Sequence, residues 1–175
     1  SVNTVIVPFK RSDVEEYFLV WTTTPWTLIA NVALCVNPDE EYVKVESMGY
    51  KFILAHALCN KVLGEDYKVL ETFKGKDLEN TEYEQLIPEL SVNKKGFFVC
   101  CDKYVTAEDG TGVVHLAPAF GADDANVGRK YNLPYLNPVG EDGKYTEGPW
   151  KGMLVFDADS EVIKYLKEND KLFKK

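Results

Sequence analysis

The chain has 175 residues, 45% of them apolar and 27% charged, enough to bury one substantial core. Its net charge of −8 excludes a protein that holds nucleic acid by a broad basic surface, because phosphate neutralisation needs clustered Lys and Arg. No apolar run nears the ~20 residues that span a bilayer, so a membrane protein of helical type is excluded as well.

The start, Ser1 to Thr4, has neither the basic flank nor the apolar stretch of a signal peptide, and a soluble, cytoplasmic protein is expected. Residues 4–8, 17–22, 42–46, 67–73, 96–100 and 112–116 are short runs rich in Val, Tyr, Phe and Thr, separated by Gly, Pro, Asn and Asp. They read as strands. Residues 55–63, 123–131 and 160–169 carry the apolar spacing of short helices, the last opened by acidic residues and closed by lysines, as the helix dipole favours. Residues 80–95 are charged and weakly patterned, which predicts an exposed connection. The sum is an α+β chain, mainly β, barrel-like with peripheral helices. A tail of lysines and a start that runs directly into a strand suggest one domain, 1–175, inserted in a larger protein.

Cys35, Cys59, Cys100 and Cys101 form no C-x-x-C pair, and His56 and His115 do not complete a zinc set. Free thiols and no metal or other cofactor are expected. Cys100 and Cys101 are adjacent in a strand and should face opposite ways, in packing rather than redox roles.

Two segments stand apart. The first is Trp21-Thr22-Thr23-Thr24-Pro25-Trp26-Thr27-Leu28, followed by Asn31. Three threonines at a strand end, stopped by Pro25, can present hydroxyls to water or ribose; any one of them alone is also simply good strand or turn material. The second runs from Gly110-Thr111-Gly112 through Val113-Val114-His115-Leu116-Ala117-Pro118-Ala119-Phe120-Gly121 to Ala122-Asp123-Asp124. It lacks the G-x-G-x-x-G spacing of a dinucleotide site and the G-K-[ST] of a phosphate loop. A glycine-rich entry, a short strand, then Pro, Gly and two carboxylates describe a strand-to-helix crossing that suits a ligand pocket. One of Asp123 and Asp124 reads as a helix cap, and the other is free for a substrate cation.

Together the two segments resemble the editing domain inserted in isoleucyl-tRNA synthetases, in which a W-T-T-T-P-W-T-L strand end faces a G-T-G-x-V-H-x-A-P-x-x-G-x-[DE]-D stretch. The resemblance spans essentially the whole chain, and His115 within Ala117-Pro118-Ala119-Phe120-Gly121 favours the isoleucine enzyme over its valine and leucine relatives. It implies a hydrolase that removes valine from mischarged tRNA(Ile), with the 3′ end of the aminoacylated tRNA as partner, the remainder of the synthetase in cis, and a monomeric state. The implied roles are Thr23 and Thr24 positioning water, Asp124 holding the substrate ammonium, and His115 and Trp26 as the size-selective wall. Thr22 and Asn31 join the substrate site. Phe120 is either a stacking surface for the terminal adenine or a buried aromatic. Absence of the H-I-G-H and K-M-S-K-S signatures implies that this chain neither activates amino acids nor uses ATP. Editing against another mischarged residue and a non-hydrolytic RNA-binding module are the alternatives.

Overall fold

A computed structural model describes residues 4–174. Ser1 to Asn3 and Lys175 lie outside the described residues, and with them part of the start and tail on which the expectation of an inserted module rests.

Among the described residues, eight strands form two mixed sheets. β1 (Val5–Lys10), β2 (Tyr17–Thr22), β4 (Glu41–Ser47), β5 (Tyr50–Ala55) and β6 (Lys68–Lys74) build the larger sheet in the order β1-β2-β5-β4-β6. β3 (Ala33–Val36), β7 (Phe98–Cys101) and β8 (Val113–Leu116) build the smaller one in the order β7-β3-β8. Pairing is antiparallel except for β2 with β5 and β3 with β7. Three helices are peripheral: α1 (Cys59–Leu63), α2 (Ala122–Tyr131) and α3 (Asp159–Glu168).

The α+β, mainly β expectation holds, but the barrel-like part needs refining, since no closed barrel forms among the described residues. The outer edges explain why. Ile6 turns its N–H outward to Lys174 O at 2.7 Å, and Pro8, two residues on, faces the same way with no N–H to offer a further strand. β6, at the other edge, is almost wholly exposed and rich in charge, the usual way an open edge stays solvated.

Two strands, β3 and β5, escape the sequence pattern. β3 is buried along its whole length as the centre of its sheet, so Ala-Leu-Cys-Val shows no alternation to detect. β5 pairs with β4 through a two-residue turn at Met48-Gly49, both with positive φ, whose signal Met48 conceals.

The sheets share one core, in which Phe9, Phe18, Leu19, Leu34, Tyr42 and Leu54 are fully buried. Each such side chain contributes about 1.5–3 kcal/mol by leaving water. A second cluster, with Ala33, Cys35, Leu116, Val127 and Leu133, fixes α2 on the outer face of the small sheet. Cys100 belongs to this cluster and Cys101 to the first, so the adjacent pair does face opposite ways. All four cysteines are buried free thiols, and burial pushes each thiol above its ordinary pKa.

Residues 80–95 are not merely an exposed connection. Tyr83, Leu86, Ile87 and Leu90 are buried in the main core while their charged neighbours face solvent, an irregular pattern that no helix or strand period reveals.

Candidate functional site

β8 lies against β2, and this contact brings the two motifs together. Gly110 and Gly112 make it sterically feasible. Both have positive φ, and a Cβ at Gly112 would stand 2.5 Å from Ala55 Cβ, while one at Gly110 would meet the Trp21 ring at 2.8 Å. The Gly110-Thr111-Gly112 turn thus delivers β8 without itself lining the pocket between the two motifs. Tyr42 clamps it, donating to Gly112 O at 2.6 Å.

After Thr22 the chain leaves the ladder, and Pro25 starts a 3-10 turn over Pro25–Ala30, where its missing N–H costs nothing. The turn folds the threonines back on themselves. Thr24 N–H donates to Thr22 Oγ1 (3.1 Å), Thr27 Oγ1 donates to Thr24 O (2.9 Å), and the Thr24 and Thr27 hydroxyls lie 3.2 Å apart. The Thr23 hydroxyl makes no hydrogen bond to another described residue.

A pocket of about 250 Å³ opens between this turn and β8. Thr22, Thr23, Thr24 and Thr27 line one side. Val114, His115, Ala117, Phe120 and Asp124 line the other, with Trp21 beside the threonines. The volume falls below the span typical of drug-sized ligand sites and suits a small acyl group.

Asp124 sits in the first turn of α2, and its Oδ2 accepts the Ala117 N–H at 2.8 Å. That bond ties the carboxylate to the end of β8 and keeps it turned toward the pocket instead of capping the helix. Burial raises its pKa above the ordinary carboxylate value, against the opposing pull of the Ala117 N–H. Asp123, one residue earlier, is exposed. The cap position is taken by Gly121, whose extended φ of −166° is open to any residue, so Asp123 is not the side-chain cap expected from sequence.

His115 is held at both ring nitrogens. Asn31 Nδ2 donates to Nδ1 at 3.0 Å, and Nε2 lies 2.8 Å from Thr27 Oγ1. With Nδ1 accepting, the proton of the neutral ring belongs on Nε2 and is donated to Thr27. Burial lowers the pKa to about 4, so the ring is neutral near pH 7.

Two expected site residues stand elsewhere. Asn31 is buried behind His115, its amide donating also to Ala33 O (2.9 Å), because the 3-10 turn ends there and turns the side chain into the core. Trp26 does not line the pocket. The same turn directs it away, its N–H to Asp159 Oδ1 (3.1 Å) and its ring edge-on to Phe120 at 5.1 Å. It supports Phe120 from behind, while Phe120, half-buried in the turn Pro118–Phe120, is the aromatic that faces the pocket. Thr27, by contrast, is a site residue that sequence reasoning missed, although its spacing of three from Thr24 was a signal. Tyr83, from a distant segment with no such signal, stays outside the pocket and reaches Asn31 behind it.

No protein-family model matches the chain. Over 174 residues it is 51% identical to an isoleucine-tRNA ligase of Picrophilus torridus, and 49% identical to that of Clostridium novyi. These matches cover 97% and 98% of this chain. The chain spans 17% of the length of either relative. Among solved structures, the editing domain of the P. knowlesi cytosolic leucyl-tRNA synthetase matches with a TM-score of 0.76 at 13% identity, over 97% of this chain and 95% of that one. The corresponding P. falciparum domain matches with a TM-score of 0.74 at 12% identity, over 97% and 98%. At such identities the likeness is one of fold.

Proposed function

The chain belongs to the isoleucine-tRNA ligase family, and from that premise we propose that it is the editing module of such an enzyme, hydrolysing the ester of valyl-tRNA(Ile). The observation that carries the proposal is Asp124: a half-buried carboxylate, fixed by the Ala117 N–H, in a small pocket whose opposite side is made of threonine hydroxyls.

A synthetase for isoleucine needs such a module because one methylene changes binding by only about 1–3 kcal/mol, a limit of which isoleucine-tRNA ligase is itself the standard example. An aminoacyl ester carries a free α-ammonium, which Asp124 anchors by a charge-assisted hydrogen bond. The approaching cation restores the charged form that burial disfavours, so the carboxylate serves as holder and not as base. The valine side chain then lies against Val114, His115 and Ala117. His115, neutral and tethered at both nitrogens, is a stiff wall against which isoleucine is too large.

The nucleophile is water, held by the Thr23 and Thr24 hydroxyls and by the free ribose hydroxyl of the tRNA. Its oxygen bonds to the ester carbonyl carbon, the carbon–oxygen bond to ribose breaks, and the ribose oxygen takes up a proton, leaving valine and tRNA. Alignment of water supplies much of the acceleration, since the ester is already activated. Phe120, at the pocket and backed by Trp26, stacks the terminal adenine. The acidic chain grips only the tRNA end, as a single monomeric module, and the rest of the synthetase supplies the remaining affinity in cis.

The test is deacylation of mischarged tRNA. Valyl-tRNA(Ile) should be cleaved well above the buffer rate and isoleucyl-tRNA(Ile) should be spared. Cleavage of no mischarged tRNA above that rate would remove the hydrolase assignment.

A further inference from the structure

The hydrogen bonds around His115 continue beyond the pocket into a segment that the proposed chemistry does not use. Tyr83 is buried, with its ring edge-on to Phe9 at 5.4 Å and to Phe97 at 6.0 Å, so the ring has one orientation. Its hydroxyl donates to Asn31 Oδ1 at 2.5 Å.

This bond acts together with the one from Asn31 to Ala33 O to hold the Asn31 amide in one orientation. Oδ1 accepts from Tyr83, and Nδ2 donates to Ala33 O, which can only accept. A flipped amide would set Oδ1 against that carbonyl and would leave the buried Tyr83 hydroxyl hydrogen without its Asn31 acceptor, so both contacts oppose the flip. With Nδ2 so directed, it has a hydrogen left for His115 Nδ1 at 3.0 Å. The ring proton is thereby confined to Nε2, facing Thr27 Oγ1 at 2.8 Å, and the Thr27 hydroxyl donates its own hydrogen bond to Thr24 O at 2.9 Å.

We infer that Tyr83 is a positioning residue for the pocket: through Asn31 it sets the tautomer and tilt of His115, and so the shape of the wall that meets the substrate side chain. Tyr83 does not line the pocket. Its functional consequence rests on the reading of His115 as the size-selective wall; the tautomer itself does not.

The chain contains two histidines, so long-range proton–nitrogen spectra of the nitrogen-15-labelled chain resolve both rings, and His56→Gln assigns them. The wild-type ring of His115 should show protonated Nε2 and unprotonated Nδ1. In Tyr83→Phe, with a cooperative melt retained, the signals should move toward a mixture of tautomers. Valyl-tRNA(Ile) cleavage should hold within about twofold, while rejection of isoleucyl-tRNA(Ile) weakens roughly three- to tenfold, the equivalent of one neutral hydrogen bond. A wild-type ring protonated on Nδ1, or a folded Tyr83→Phe with a pure Nε2–H tautomer, overturns the inference. If Tyr83→Phe does not fold, Asn31→Asp asks the same question: a carboxylate has no donor, so Nδ1 must gain a proton, and an unchanged tautomer there overturns it too. A shifted tautomer with unchanged discrimination upholds the positioning by Tyr83 and removes His115 from the size-selective wall.

Discussion

A Cβ placed on Gly121 would lie 2.8 Å from Asp124 Oδ1 and 3.1 Å from its Cγ. The backbone at Gly121 is extended, so the constraint is space and not conformation. The glycine before α2 is the room into which the Asp124 carboxylate folds back to reach the Ala117 N–H.

Gly121→Ala should therefore leave the fold intact and displace the carboxylate. A misplacement on the order of 1 Å costs roughly a hundredfold in rate. Deacylation of valyl-tRNA(Ile) should fall by about that factor, with a melting temperature close to wild type. Full activity in a folded Gly121→Ala chain would mean that the carboxylate position does not matter to the chemistry.

Asp124→Ala should abolish deacylation, since truncating one partner of a buried, hydrogen-bonded charge pair costs about 2–5 kcal/mol. Asp123→Ala should leave activity in place and cost about 0.3–1 kcal/mol of stability through the helix dipole alone. With wild type, kcat/KM should drop on acidification through a pKa above the ordinary carboxylate value of 3.8, because protonated Asp124 cannot pair with the ammonium. Equal losses from the two alanine variants would dissolve the distinction between them.

His115→Ala should enlarge the pocket and admit isoleucine. The informative quantity is the ratio of valyl to isoleucyl cleavage rates on tRNA(Ile), which should fall toward one. If isoleucyl-tRNA(Ile) remains protected, another side chain sets the size limit.

His115 also links stability to pH. The unfolded chain protonates this ring near 6.5 and the folded chain near 4, so the unfolded state binds more protons between those values. Stability then rises with pH across that window, and acidification from 6.5 to 4 removes at most about 3 kcal/mol. Asp124, whose folded pKa is raised, acts in the opposite sense, losing its contribution as pH climbs through that pKa. Denaturant melts of wild type and His115→Gln across pH 4 to 7 separate the two. The difference between the chains should shrink as pH falls, and a constant difference would show that the ring is not kept neutral by folding.

Much of the candidate site was legible because its parts are local. The threonine run, Pro25 and the Gly110-Thr111-Gly112 turn each announce a strand end or a tight backbone, and Asp124 follows β8 closely enough to be read from one motif. The same reading erred at Trp26 and Asn31. Both belong to the motif, yet a 3-10 turn sends neighbouring side chains in different directions, so membership of a motif did not decide which of them reach the pocket. Thr27, between them, both lines the pocket and bonds His115.

The amino-acid sequence by itself determined the strand-rich composition, the two motifs and the family, because each is carried by residue type and short spacing. Tertiary structure decided the rest: that β8 lies against β2, that the sheets stay open, and that Tyr83 from an irregular segment reaches Asn31. These depend on contacts between residues far apart in the chain. A hydroxyl and an amide separated by 52 positions leave no periodicity behind, and only the packing of the ring of Tyr83 against Phe9 and Phe97 brings them together.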